Sequence, residues 1–106
     1  MAWETLVCGT IEFKGIASDD DVLLVQNYLE FGREVEKIDV KNLKKEDGDT
    51  NTTIDFTSVN WISHINEDSI KEMLEKLKGK LEHYAITLHY LDGEYGINFV
   101  SKEEMN

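Results

Sequence analysis

"IDVKNLKKEDGDTNTTIDF", residues 38–56, holds two runs of alternating apolar and polar residues on either side of a turn sequence. Such alternation predicts a β-hairpin. A two-residue turn would place Val40 opposite Asp55, so that the apolar sides of the two strands lay on opposite faces of the sheet, which is costly. A three-residue loop over 46–48, ending on a left-handed glycine, instead pairs Val40 with Ile54. We therefore predict the three-residue loop, in which Lys45 also faces Asp49 and Ile38 faces Phe56.

A second hairpin is predicted from "AITLHYLDGEYGINFV", residues 85–100. Its Asp92-Gly93 pair suits a type I′ turn, which needs left-handed conformations at both central positions. The resulting register pairs Ile86 with Phe99, Leu88 with Ile97 and Tyr90 with Tyr95. Residues 3–13 alternate in the same way and predict a further strand. The simple alternation is lost over residues 57–65, which we expect to form a strand end or bulge that leads into a loop.

Two helices are predicted from apolar residues that recur at the helical period. Residues 18–36 place a wide apolar arc on one side, and Ser18 stands at the N-cap position with Asp21 three places later, as in a capping box. Residues 67–83 carry a stripe that continues through Leu81 and Tyr84, with Asn66 as the N-cap and Gly79 as a mild defect. Three pairs four residues apart carry opposite charges and would stabilise this second helix: Glu67 with Lys71, Glu72 with Lys76, and Lys78 with Glu82.

The predicted order β-α-β-β-α-β-β indicates an α+β protein. We expect a ferredoxin-like βαββαβ sandwich with an extra C-terminal strand, built as an antiparallel sheet with both helices on one face. Residues 1–106 are predicted to form a single domain, with 101–106 as a loose tail. The other face of the sheet would be a mixed polar surface formed by Leu6, Cys8, Thr10, Glu12, Asp39, Lys41, Thr53, Asp55, Thr87 and His89.

The composition is strongly acidic. In this chain of 106 residues, 22 acidic side chains against 11 basic ones give a formal net charge of −11. Such a field repels nucleic-acid phosphates and lipid headgroups and attracts basic proteins, so we expect no direct binding to nucleic acid or to membranes. No apolar run approaches the roughly 20 residues of a membrane span, and the N-terminus lacks the pattern of a secretory signal. A single cysteine forms no internal disulfide, which fits the cytoplasm that we predict.

The reactive side chains form no recognisable catalytic or metal-binding pattern. Cys8 and His89 are predicted on one sheet face, but a lone cysteine in a central strand is usually a small apolar filler. The histidines lack metal-ligand spacing. Asp19, Asp20 and Asp21 are consecutive, so on a helix they diverge, and the helix dipole accounts for them without a metal ion. We therefore expect a protein that is not an enzyme and needs no cofactor or metal.

The surplus of carboxylates has two interpretations. Glu30 and Glu34 are a like-charge pair four residues apart, which weakens a helix slightly. Either the carboxylates serve only to solubilise the chain, or they bind a basic partner protein. The leading hypothesis is partner binding through two patches, the first formed by Asp19, Asp20, Asp21, Glu30 and Glu34, and the second by Glu46, Asp47 and Asp49.

The chain is similar in size and charge to phage-encoded anti-CRISPR and anti-restriction inhibitors, small acidic domains that occupy nucleic-acid channels with carboxylates in place of phosphates. That resemblance implies an inhibitor that mimics nucleic acid. A second hypothesis is a small regulatory or assembly module that dimerises through its open sheet face or an edge strand. The first hypothesis predicts binding that weakens as salt rises. The second predicts a homodimer that is insensitive to salt.

Overall fold

The part of the chain that the structure describes folds into five strands and two helices. This computed structural model describes residues 4–30, 35–91 and 95–101. In chain order the elements are β1 (Glu4–Phe13), α1 (Asp19–Glu30), β2 (Val35–Lys44), β3 (Thr50–Trp61), α2 (Glu67–Lys76), β4 (Leu81–Tyr90) and β5 (Tyr95–Val100).

The strands form one sheet in the order β2-β3-β1-β4-β5. All neighbouring strands are antiparallel. Together with the two helices this confirms the α+β class. β1 lies at the centre of the sheet, and β2 and β5 form its two edges.

Both predicted hairpin registers are confirmed. In the first hairpin Val40 faces Ile54 and Ile38 faces Phe56. In the second the predicted pairs of Ile86 with Phe99, Leu88 with Ile97 and Tyr90 with Tyr95 all form. The predicted Asp92-Gly93 turn lies outside the described residues.

The hydrophobic core lies on one face of the sheet. Residues that share a register across β1, β3 and β4, such as Ile11 and Ile54, are fully buried there. Residues of both helices belong to the same buried cluster, so α1 and α2 cover the same face, as predicted. The buried apolar residues are Val7, Ile11, Phe13, Val25, Leu29, Ile54, Phe56, Ile65, Ile70, Met73, Leu77, Ile86 and Leu88.

The first helix is shorter than predicted. α1 ends at Glu30, and β2 has begun by Val35, so the last two residues of the predicted helix, 35 and 36, belong to a strand. Residues 31–34 lie outside the described part of the chain. The apolar arc was misleading at Val35 because an apolar residue that follows a helix also suits the start of a strand.

The second helix is shorter as well. α2 ends at Lys76, and Gly79 then adopts a left-handed conformation with a φ of 86°. A left-handed glycine ends a helix, so Gly79 is a stop signal and not a mild defect. Leu81 and Tyr84 lie in β4 and still pack against the core, which is why they extended the apparent helical stripe. Lys78 and Glu82 are therefore not a helical pair.

β3 continues where the sequence predicted a strand end or bulge. It pairs with β1 without interruption from Thr53 opposite Glu12 to Trp61 opposite Glu4. The alternation was obscured because β3 places polar side chains on the core face at this end. Ser58, for example, is fully buried, and its hydroxyl donates to the Leu29 carbonyl at 2.7 Å.

The C-terminal end of β5 is held against β4. The Ser101 amide donates to the Tyr84 carbonyl at 3.0 Å. The Ser101 hydroxyl accepts from the Tyr84 amide at 3.1 Å and lies 3.0 Å from Nδ1 of His83. His83 is therefore a strand residue and not the helix-terminal residue that was predicted. Of the predicted tail, residues 102–106 lie outside the described part.

No helix in the described ranges is long and apolar enough to cross a membrane.

Candidate interaction surface

The three aspartates stand in the first turn of α1, as predicted. The Ser18 hydroxyl accepts from the Asp21 amide at 3.1 Å, which is the expected N-cap hydrogen bond. The carboxylate of Asp21 accepts from Nζ of Lys80 at 3.0 Å and is only 15% exposed. Asp19 and Asp20 are exposed, and neither is paired with a cation among the described residues. The structure thus separates one neutralised aspartate from two that face solvent.

The loop before α1 is fixed to β3 by polar contacts. The Gly15 amide donates to the side-chain oxygen of Asn51 at 2.8 Å, and the Ala17 amide donates to the Thr52 hydroxyl at 2.8 Å. The Thr52 amide returns a bond to the Gly15 carbonyl at 2.9 Å. Asn51 and Thr52 are buried. These contacts place the start of α1 beside the β2–β3 hairpin.

The hairpin tip carries the second predicted group of carboxylates. Gly48 has a φ of 94°, as the predicted loop requires, and the Lys45 amide donates to the Asp49 carbonyl. One Asp47 oxygen accepts from the Asp49 amide at 3.0 Å, so this carboxylate also shapes the turn. Glu46, Asp47 and Asp49 are all exposed.

The start of α1, which carries Asp19, Asp20 and Asp21, lies at the same end of the sheet as the hairpin tip. The loop that precedes Asp19 is bonded to Asn51 and Thr52, the residues that directly follow the hairpin tip. The nearby Lys45 lies 3.4 Å from a carboxylate oxygen of Glu12, and the attraction of Glu12 raises the pKa of Lys45. Two cations at this end, Lys45 and Lys80, are therefore held by Glu12 and Asp21, which are not among the carboxylates exposed to solvent. The sequence did not reveal this convergence.

The first predicted patch also included Glu30 and Glu34. Glu30 is the last residue of α1, and its side chain lies outside the description. Glu34 falls outside the described residues altogether.

An apolar groove runs between α1 and β2. Its most exposed apolar members are Ile16 at 62%, Leu23 at 53% and Val40 at 39%, and Asp19 also lines it. Val40 is on the core face of the sheet, so its exposure means that α1 covers β2 only in part. The predicted partner site did not include this groove. Val40 was predicted to face Ile54 in the core, and neither Ile16 nor Leu23 was assigned a role.

The open face of the sheet is mixed and polar, as predicted. Lys41 lies 3.3 Å from Asp39 and 3.6 Å from Asp55, and its pKa is raised, first by the hydrogen bond to Asp39. Cys8 and His89 share this face but are only diagonal neighbours, because Cys8 faces Thr87 and His89 faces Leu6. Among the described residues, no group of three His, Cys, Asp or Glu side chains is arranged to hold a metal ion.

No protein-family model, curated protein or solved structure matches this chain. Its function is therefore argued from its surface.

Proposed function

We propose that this chain is a non-enzymatic acidic protein that binds a basic surface of another protein, in the manner of an inhibitor that mimics nucleic acid. The contact would be made by Asp19 and Asp20 together with the hairpin-tip carboxylates Glu46, Asp47 and Asp49. The observation that carries the proposal is that these exposed carboxylates lie at one end of the sheet. Carboxylates that converge in this way present several negative charges to one partner.

Electrostatics favours a role for this surface in recognition. A net charge of −11 steers a basic partner toward the chain, and carboxylates that are exposed to solvent add attraction at short range. Asp21 contributes less, because Lys80 already neutralises it. The nucleic-acid-binding site of the partner is the surface that such a pattern fits best, since it is built to accept phosphates.

We also propose that the fold is ferredoxin-like. The order β2-β3-β1-β4 interleaves the two βαβ units, because β3 separates β1 from β2, and β1 separates β3 from β4. β5 is then the additional C-terminal strand. In this arrangement the loops and hairpin at one end of the sheet are free to make contacts. The cytoplasm is the compartment that we propose, because the single cysteine gives no internal disulfide.

Affinity capture at low ionic strength from the native cell, followed by titration with the purified partner, tests the proposal. Replacing Asp19 and Asp20 by Asn should weaken binding by about 2- to 30-fold, since exposed charge pairs are worth about 0.2–1 kcal/mol each. The affinity of the unchanged chain should fall steeply as salt rises.

The matched control replaces Asp68 by Asn and Glu75 by Gln, two exposed carboxylates on α2. This control changes the net charge by the same amount as the test variant. It should retain binding, because neither residue belongs to the proposed contact. Equal affinity at low and high salt, or equal losses in the two double variants, would contradict the proposal.

A further inference from the structure

β2 is an edge strand whose outer backbone groups face away from the sheet. The Lys45 amide bonds to Asp49, and hydrogen-bonded positions alternate along an antiparallel pair. The backbone groups of Ile38, Val40 and Asn42 therefore point away from β3. The Thr52 amide supports this register. Thr52 faces Asn42 across the strand pair, but its amide points away from β2 and donates to the Gly15 carbonyl.

We propose that β2 pairs antiparallel with β2 of a second copy of this chain, with the two-fold axis at Val40. In this register the outward backbone groups of Val40 meet those of Val40 in the other copy, and Ile38 meets Asn42. Asp39 of each copy then faces Lys41 of the other, so two pairs of opposite charge form across the junction. Such directly opposed pairs stabilise a sheet.

The charges also favour this register over its neighbours. If one strand slides by two residues in one direction, Lys41 of each copy lies opposite Lys41 of the other. If it slides by two residues in the opposite direction, Asp39 lies opposite Asp39. Like charges directly opposite each other are destabilising. A basic peptide is a poorer occupant of this edge than a second copy, because the strand itself carries Lys37, Lys41 and Lys44.

The apolar groove beside β2 gives the pairing a second source of stability. Val40 is on the helix side of the sheet, in the groove with Ile16 and Leu23, and all three are exposed in the single chain. Joining two copies at Val40 would bring two such grooves together and remove apolar surface from water. The pairing goes beyond the proposed function and uses other residues, except that Asp19 also lines the groove.

Sedimentation equilibrium of the whole chain, from about 10 μM to about 1 mM, tests the proposal. The unchanged chain should form a dimer within this range. Asp39→Lys should weaken the dimer about tenfold or more, because it makes two like-charge contacts. Asp39→Lys combined with Lys41→Asp should restore it, since the opposite charges are then exchanged between the strands. Asp68→Lys, on α2, is the control and should leave the dimer unchanged.

Mixing two single variants tests the same charge pairs, and it still does so if one variant is less stable on its own. Asp39→Lys leaves lysine at both positions 39 and 41, and Lys41→Asp leaves aspartate at both, so each variant should be mainly monomeric alone and the mixture should form a heterodimer. Circular dichroism of each variant establishes that it is folded. A monomer at about 1 mM for the unchanged chain would overturn the proposal. A folded mixture that forms no heterodimer would overturn it as well.

Discussion

Gly9 is the position in the sheet where a side chain is least tolerated. It lies in β1, the central strand, with a φ of 151°. A Cβ atom there would stand 2.1 Å from the Ala85 carbonyl oxygen and 2.8 Å from Cα of Ile86. Both atoms belong to the backbone of β4, so neither can rotate away. Gly9→Ala must therefore strain its own backbone or move β4 away from β1.

The expected cost of Gly9→Ala is about 2–6 kcal/mol. A side chain in a sparsely populated backbone region costs about 1–3 kcal/mol, and forcing extra atoms into a packed site costs about as much again. A domain of this kind is stable by only about 5–15 kcal/mol, so the variant should lose a large part of its stability. Urea denaturation of both proteins, followed by circular dichroism, measures the difference.

Two other glycines separate the close contact from the backbone effect. At Gly96 a Cβ would meet atoms no closer than 3.5 Å, so Gly96→Ala should be near neutral. Gly48 has a φ of 94° but open space around it, so Gly48→Ala should cost about 1 kcal/mol for backbone strain alone. A loss below about 1 kcal/mol for Gly9→Ala, or one no larger than that of Gly48→Ala, would refute the reasoning.

Two further outcomes are expected for stability. Asn66→Ala should destabilise the chain by about 1 kcal/mol in urea denaturation, because the Asn66 side chain accepts from the Ser69 amide at 2.9 Å and the Ser69 hydroxyl accepts from the Asn66 amide; no change would show that water replaces the cap. Asp39 raises the pKa of Lys41 in the folded state. The stabilising contribution of the charged Lys41 is therefore complete below the ordinary pKa of lysine and is lost as pH rises through the raised value. Lys41→Met should accordingly show a smaller loss of stability between about pH 10 and about pH 12 than the unchanged chain, and an identical pH profile would contradict this assignment.

The sheet was predictable from the sequence because its register follows from a parity argument. Val40 and Ile54 reach the same face only if the loop has an odd number of residues, and Gly48 supplies the left-handed position that a three-residue loop needs. The helix ends were not predictable in the same way. Leu81 and Tyr84 suit a helical stripe and also the core face of a strand, and only the left-handed Gly79 distinguishes the two.

The candidate site was predictable only as a set of residue types. Its geometry depends on contacts between residues far apart in sequence, such as Gly15 with Asn51 and Asp21 with Lys80. No local pattern marks Asn51 as the residue that fixes the start of α1. The same contacts decide which carboxylates face solvent, and so the structure narrows a run of three aspartates to Asp19 and Asp20.

Ionic strength distinguishes the two proposed associations because their net electrostatics have opposite signs. Binding to a basic partner joins unlike charges, so salt screens an attraction and weakens the complex. Two copies of this chain each carry a formal charge of −11, so their overall repulsion is screened by the same salt. The local pairs of Asp39 with Lys41 lose strength in salt, whereas the apolar contact at Val40 does not. Self-association should therefore persist at a salt concentration that releases a basic partner.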